Sequence, residues 1–172
     1  MLYGLPNPHG GDIYGGDVRL DFSANTNPFG TPPGVLEAVS RALPDMHRYP
    51  DPYCRRLVEK IAAFEGVNRD DILCGNGAAE LIYAYCGAVR PKTALEPAPT
   101  FSEYALGLAQ VGCRVKPYYL TPDRDFALDS HFPDYLTEIL PEAVFLCNPN
   151  NPTGMLIHPT VLKDILAHIQ NV

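Results

Sequence analysis

Apolar residues recur along this chain at helical and strand periods, and the order of the two periods outlines a fold. Val35, Leu36, Val39 and Leu43 fall three to four residues apart, which predicts a helix starting after Pro32-Pro33. Leu57, Val58, Ile61 and Phe64 repeat that spacing and predict a second helix over 53–65, ended by Gly66. Between the two, Pro44, Pro50 and Pro52 punctuate a loop. From residue 71 onward, short apolar runs alternate with helical patterns. Strands are predicted at 71–74, 93–96, 114–120 and 143–147. Helices are predicted at 78–89, 101–111 and 159–169, with loop and a short helix over 128–140.

Repeated strand–helix units predict an α/β fold, a three-layer, mostly parallel sheet with flanking helices, whose ligands bind beyond the carboxyl ends of the strands. Residues 1–33, rich in Gly, Pro, Asn and Asp, read as an irregular N-terminal arm with one strand-like piece at 18–22. The expected organisation is thus an arm, 1–33, and a larger body, 34–172. The pattern ends just after a helix, where a crossover is expected to deliver a further strand. The expected sheet is therefore incomplete, the N-terminal part of a larger fold.

Composition narrows the function. The chain has 172 residues, 46% hydrophobic and 19% charged, enough for one ordinary core. Its net charge of −7 argues against a nucleic-acid partner, which needs a basic surface. No apolar run approaches the roughly 20 residues of a membrane span, and the first residues lack a signal-peptide pattern, so a cytoplasmic location without a membrane partner is the default expectation. The five cysteines, Cys54, Cys74, Cys86, Cys113 and Cys147, include no C-x-x-C pair and are odd in number, so all five are expected to be reduced and structural. Cys74 and Cys147 end apolar runs and read as small hydrophobes. The five histidines are scattered without metal-ligand spacing, and no G-x-S-x-G motif anchors a serine hydrolase.

Three loops carry candidate chemistry. In Cys74-Gly75-Asn76-Gly77-Ala78-Ala79-Glu80 a strand enters and a helix leaves. The free N–H groups of Gly77, Ala78 and Ala79 at the positive end of the helix dipole can cradle a phosphate, or the stretch is only a tight turn. Its spacing is G-x-G-x-x-E, so a dinucleotide fold lacks its third glycine, although Glu96 falls roughly where a ribose-binding acid would lie. In Glu96-Pro97-Ala98-Pro99-Thr100-Phe101-Ser102-Glu103-Tyr104 the ring of Phe101 can stack on a flat cofactor or pack in a helix core. In Asn148-Pro149-Asn150-Asn151-Pro152-Thr153-Gly154 prolines stiffen the backbone around asparagine amides, and each X–Pro bond can be cis.

Taken in this order, GNGAAE, PTFSEY and NPNNPTG resemble the fold-type I pyridoxal-phosphate enzymes, the class I/II aminotransferase superfamily. The resemblance runs over essentially the whole chain and is closest to the branch that holds threonine-phosphate decarboxylases and histidinol-phosphate aminotransferases. It implies pyridoxal 5′-phosphate as cofactor, a small phosphorylated amino acid as substrate, and a homodimer in the full-length form. By the same resemblance Asn151 bonds the cofactor's ring hydroxyl, Phe101 stacks on its ring, and the turn at Gly77 with the N–H groups of Ala78 and Ala79 holds its phosphate. Arg48-Tyr49-Pro50-Asp51-Pro52 resembles the family's Y-P-D/E-P segment, in which Tyr49 reaches the partner's cofactor phosphate. His9-Gly10-Gly11-Asp12 and the stretch LDFSANTNPFG over 20–30 look like the pattern of the decarboxylases, with His9 and Asn27 near the substrate. That arm favours the decarboxylase over the aminotransferase.

The family also needs an aspartate facing the ring nitrogen, a lysine that holds the cofactor covalently, and an arginine for the substrate carboxylate. Lys60, Lys92, Lys116 and Lys163 do not stand in the family's S-x-S/T-K context, so no catalytic lysine is assigned and no turnover is expected of these 172 residues alone. A non-catalytic binding partner with inherited motifs is the alternative from another class.

Overall fold

The computed structural model describes residues 10–14 and 16–170. It divides into two compact units, Met1–Ile72 and Leu73–Val172.

In the first unit, α1 (Pro33–Ala42) begins with proline in its first turn, where the ring's fixed φ and missing N–H cost nothing. A single 3₁₀ turn, Leu43–Asp45, follows it. Helix α2 (Arg55–Glu65) ends on Gly66, whose N–H returns to the Ala62 carbonyl. Both helices fall where the apolar spacing predicts them. The strand expected at 18–22 does not form. Val18 and Phe22 are exposed, and the segment has no ladder partner among the described residues. It is tied instead to the preceding glycines. The Ser23 hydroxyl accepts the Gly11 N–H at 2.8 Å, and a Cβ on Gly10 would fall 1.8 Å from the Ser23 carbonyl oxygen. The strand expected at 71–74 is also absent. Arg69–Asp71 forms a 3₁₀ turn, and Ile72 is extended (φ −116°, ψ 125°) without a neighbouring strand among the described residues.

The second unit is the predicted α/β body. Three parallel strands, β1 (Thr93–Ala98), β2 (Arg114–Tyr119) and β3 (Ala143–Val144), lie in the order β2-β1-β3. Helices α3 (Gly77–Val89), α4 (Glu103–Gln110), α5 (Phe132–Ile139) and α6 (Pro159–Gln170) cover the sheet. Alternation along β1 assigns them to faces. Ala94 packs with Cys86 of α3 and Leu108 of α4, whereas Leu95 packs with Phe132 and Leu136 of α5 and Val161 and Ile165 of α6. The result is three layers, helix, sheet and helix. Leu95, Phe132, Leu108 and Ile165 are fully buried, each side chain stabilising the fold by about 1.5–3 kcal/mol. Helices α3 and α4 meet at Gly107, where a Cβ would lie 3.3 Å from the Cys86 sulfur and 3.4 Å from Ile82. Among the described residues no helix is long and apolar enough to cross a membrane.

β3 is two residues long, not the five expected, and β1 explains why. The Glu142 and Phe145 N–H groups donate to the carbonyls of Thr93 and Leu95, so odd-numbered residues of β1 direct their polar groups at β3. The next odd residue is Pro97, which has no N–H to continue the ladder. Pro117 in β2 escapes this conflict. The Leu120 N–H bonds the Ala98 carbonyl, so even-numbered residues of β2 face β1 and Pro117 turns its missing donor to the open edge.

Candidate functional site

The three candidate loops converge by topology. β1 and β3 are neighbours, and each runs directly into its loop at the carboxyl end of the sheet. α3 reaches β1 through residues 90–92 and packs on its face, so it runs antiparallel to that strand. Thirteen helical residues and six strand residues each span about 20 Å, which sets the start of α3 level with the end of β1. Gly77, Ala78, Ala79, Phe101 and Asn151 thus belong to one end of one unit.

The turn into α3 is built around Gly77. Its φ of +79° strains any residue with a Cβ, and its N–H closes the turn by donating to the Gly75 carbonyl at 2.9 Å. The Glu80 carboxylate folds back to accept the Asn76 N–H, as in a capping box, and leaves the exposed Ala78 and Ala79 at the helix start. First-turn N–H groups lack helical acceptors, so these two are donors for an external anion. The same geometry removes the basis of a dinucleotide site. Glu80 serves as a cap where the third glycine would be. Glu96 lies within β1, shares the face of Ala94, and is 8% exposed beneath α3 and α4, away from the loop tip. Burial pushes its carboxyl up to about 7, and its Oε2 has no hydrogen-bond partner among the described residues.

Phe101 is half-buried where the chain turns from β1 into α4. Tyr104 braces it edge-on at 5.7 Å and itself stacks on Phe145 at 4.9 Å. In the next turn Glu103 is buried, and its carboxyl raises the neighbouring Tyr83 of α3 above its ordinary value.

The NPNNPTG loop has a division of labour that its sequence does not reveal. The Asn148 side-chain oxygen Oδ1 accepts the Ile157 N–H at 3.0 Å. Asn150 is buried, and its amide donates to the Pro99 carbonyl at 3.0 Å and the Thr153 hydroxyl at 2.9 Å. Its Oδ1 accepts the Thr100 hydroxyl at 2.8 Å, so Asn150 clasps the loop after β3 to the loop after β1. Asn148 and Asn151 are both exposed, and Asn151 alone of the three has neither side-chain oxygen nor nitrogen bonded among the described residues. Its backbone N–H is fixed on the Cys147 sulfur at 3.4 Å. The peptides Ala98–Pro99, Asn148–Pro149 and Asn151–Pro152 are cis. Sequence reasoning missed Asn150, since three asparagines in one motif carry the same chemistry. It also missed the burial of Glu96, although Ala94, Glu96 and Ala98 alternate onto one face.

The remaining assigned residues belong to the first unit. Tyr49 is fully exposed. Asn27 closes a turn, its Oδ1 accepting the Phe29 N–H at 3.1 Å and its Nδ2 donating to the Gly30 carbonyl at 2.8 Å. His9 lies outside the described residues. Lys60, Lys92, Lys116 and Lys163 are all exposed.

Comparison with known proteins finds relatives of one family. The family model for aminotransferase class I and II matches residues 18–172. A threonine-phosphate decarboxylase of Salmonella typhimurium is 38% identical over 149 residues, 87% of this chain and 41% of that protein. A histidinol-phosphate aminotransferase of Halalkalibacterium halodurans is 33% identical over 158 residues, 89% of this chain and 41% of its own length. Among solved structures, the histidinol-phosphate aminotransferase of Clostridium acetobutylicum superimposes with a TM-score of 0.74 at 27% identity, covering 86% of this chain and 43% of that one. The chain spans about two fifths of the length of the curated relatives it matches.

Proposed function

Because the chain belongs to the aminotransferase class I and II family, we propose that its second unit is part of the cofactor-binding domain of a pyridoxal-phosphate enzyme that decarboxylates threonine phosphate. The family's cofactor is pyridoxal 5′-phosphate, which when bound acts as a sink for the electron pair left at a substrate's α-carbon. In this reading residues 34–172 contribute to the large domain and residues 1–33 form an arm.

One observation carries the assignment. Of the three asparagines in NPNNPTG, two are committed to holding the loop, and Asn151 presents an unbonded amide. That amide is the donor a phenolic ring oxygen requires. The N–H groups of Ala78 and Ala79 hold the phosphate at the α3 dipole, the Gly77 turn lets the backbone approach it, and the braced ring of Phe101 supplies a flat apolar surface. Exposed Tyr49 is available to a second subunit's phosphate in a homodimer. His9 and Asn27 are assigned to the substrate side, where Asn27 acts by shaping its turn. The aspartate, lysine and arginine that the family needs come, in this reading, from the part of the relatives' length that this chain does not span.

Titrating the chain with pyridoxal phosphate by calorimetry tests the site. Asn151→Ala is expected to weaken binding about tenfold, the value of one hydrogen bond to a charged oxygen. Equal affinity of the two forms overturns the assignment. The decarboxylase reading rests on the 38% and 40% identities to two proteins named threonine-phosphate decarboxylase, one of them putative, against 33% for the aminotransferase above. Release of carbon dioxide from threonine phosphate, by a protein carrying this chain with the missing groups, is the expected result. Amino transfer from histidinol phosphate to a keto acid instead selects the aminotransferase.

A further inference from the structure

Beneath Asn151 the structure has a feature that the family motifs do not name. The Cys147 sulfur makes two hydrogen bonds. It accepts the Asn151 N–H at 3.4 Å, and its thiol donates to the Pro149 carbonyl at 3.4 Å. We propose that Cys147 is a positioning residue that fixes the backbone of Asn151 and so aims its free amide. The proposal rests on the reading of Asn151 as the contact to the cofactor's ring oxygen.

Three observations support it. Asn151 has no side-chain bond to hold it among the described residues, so its orientation depends on its backbone. Neighbouring Asn150 is pinned by its own side chain and needs no such support. Tyr104 also braces Phe101 edge-on while stacked on Phe145. Burial and the neighbouring thiol push its hydroxyl up to about 12, so the side chain that braces the ring meant to stack on the cofactor neighbours the sulfur that holds Asn151. A sulfur at this position has a longer bond to its Cβ and a broader acceptor surface than a hydroxyl. It reaches both partners across the turn, which a small hydrophobe would not do.

The test uses Cys147→Ala and Cys147→Ser. The first readout is amide hydrogen exchange in the chain without cofactor. Cys147→Ala is expected to speed exchange of the Asn151 N–H on the order of tenfold while the Ile157 N–H, bonded to Asn148, is unchanged; Cys147→Ser restores it in part. Unchanged Asn151 exchange in Cys147→Ala overturns the proposal. The second readout is the affinity for pyridoxal phosphate, expected to fall in Cys147→Ala and recover in Cys147→Ser. A loss in Asn151→Ala with none in Cys147→Ala also overturns it. If the unmodified chain fails to bind pyridoxal phosphate, or Asn151→Ala binds equally well, the site assignment fails, and the exchange readout still decides whether Cys147 holds Asn151. If Cys147→Ala disturbs the whole unit, Cys147→Ser carries the test, and Asn151 exchange no slower in it than in Cys147→Ala overturns the proposal.

Discussion

Replacing Glu96 by glutamine is expected to remove a large part of the pH dependence of stability in the sheet unit. Glu96 sits in the middle strand, points at α3 and α4, and is 8% exposed with Oε2 unpartnered among the described residues. In the unfolded chain its carboxyl ionises near 4.5, whereas in the folded chain burial holds the proton to about pH 7. Between those values the folded state binds the extra proton, so stability falls as pH rises and the loss is complete above 7. The ceiling on that loss is on the order of 3 kcal/mol, which screening and local hydration reduce to roughly 2 kcal/mol. Urea unfolding followed by far-ultraviolet circular dichroism at pH 5 and pH 7.5 measures it in both forms. The glutamine variant cannot ionise, so the wild type should lose about 2 kcal/mol more than the variant between the two pH values. Taking the difference cancels the histidines and surface acids common to both. Parallel profiles would show that the carboxylate finds a partner or water, and the account of its burial would be wrong.

Other perturbations separate structure from binding. Asn150→Ala should cost about 2–4 kcal/mol in urea unfolding by orphaning the partners at Pro99, Thr100 and Thr153, while Asn151→Ala stays within about 0.5 kcal/mol. Gly107→Val should destabilise by about 1–3 kcal/mol, read as a lower urea midpoint, because the first added carbon already presses on Cys86 and Ile82. Gly77→Ala should cost about 1–2 kcal/mol at its φ of +79° and weaken pyridoxal phosphate in the same calorimetric titration. The 172-residue chain alone should release no carbon dioxide from threonine phosphate, since its four lysines are exposed; turnover with a borohydride-trapped adduct at one of them would refute this.

Much of the second unit was legible because its punctuation is local. Gly, Pro and helical spacing gave α3, α4, α5 and α6 to within a few residues, and the alternation of elements gave the parallel sheet. The failures concern information that no single segment holds. Residues 18–22 and 71–74 have the composition of strands, but a strand exists only when another presents its ladder. β3 reads as five residues until Pro97, some 50 positions earlier, is known to be its neighbour. The candidate site was legible as a set of motifs, GNGAAE, PTFSEY and NPNNPTG, and the fold brings these three loops to one end of the second unit. The roles inside NPNNPTG were not, because which asparagine is buried depends on where Pro99 and Thr100 lie. Cys147 reads as a small hydrophobe at the end of an apolar run, yet in the fold its sulfur bonds the backbone of Pro149 and Asn151.

Pro97 has a consequence for how the loop moves. By ending the β1–β3 ladder at Leu95 and Val144, it leaves residues 148–154 outside the cooperative network of the sheet. The loop is then retained by a few contacts, chiefly the Asn150 clasp, and can open at a fraction of the free energy of global unfolding. A ligand bridging this loop and the start of α3 would suppress that opening by mass action and merge the two segments into one cooperative unit. A proline in the central strand thus makes the order of a distant loop responsive to what it binds.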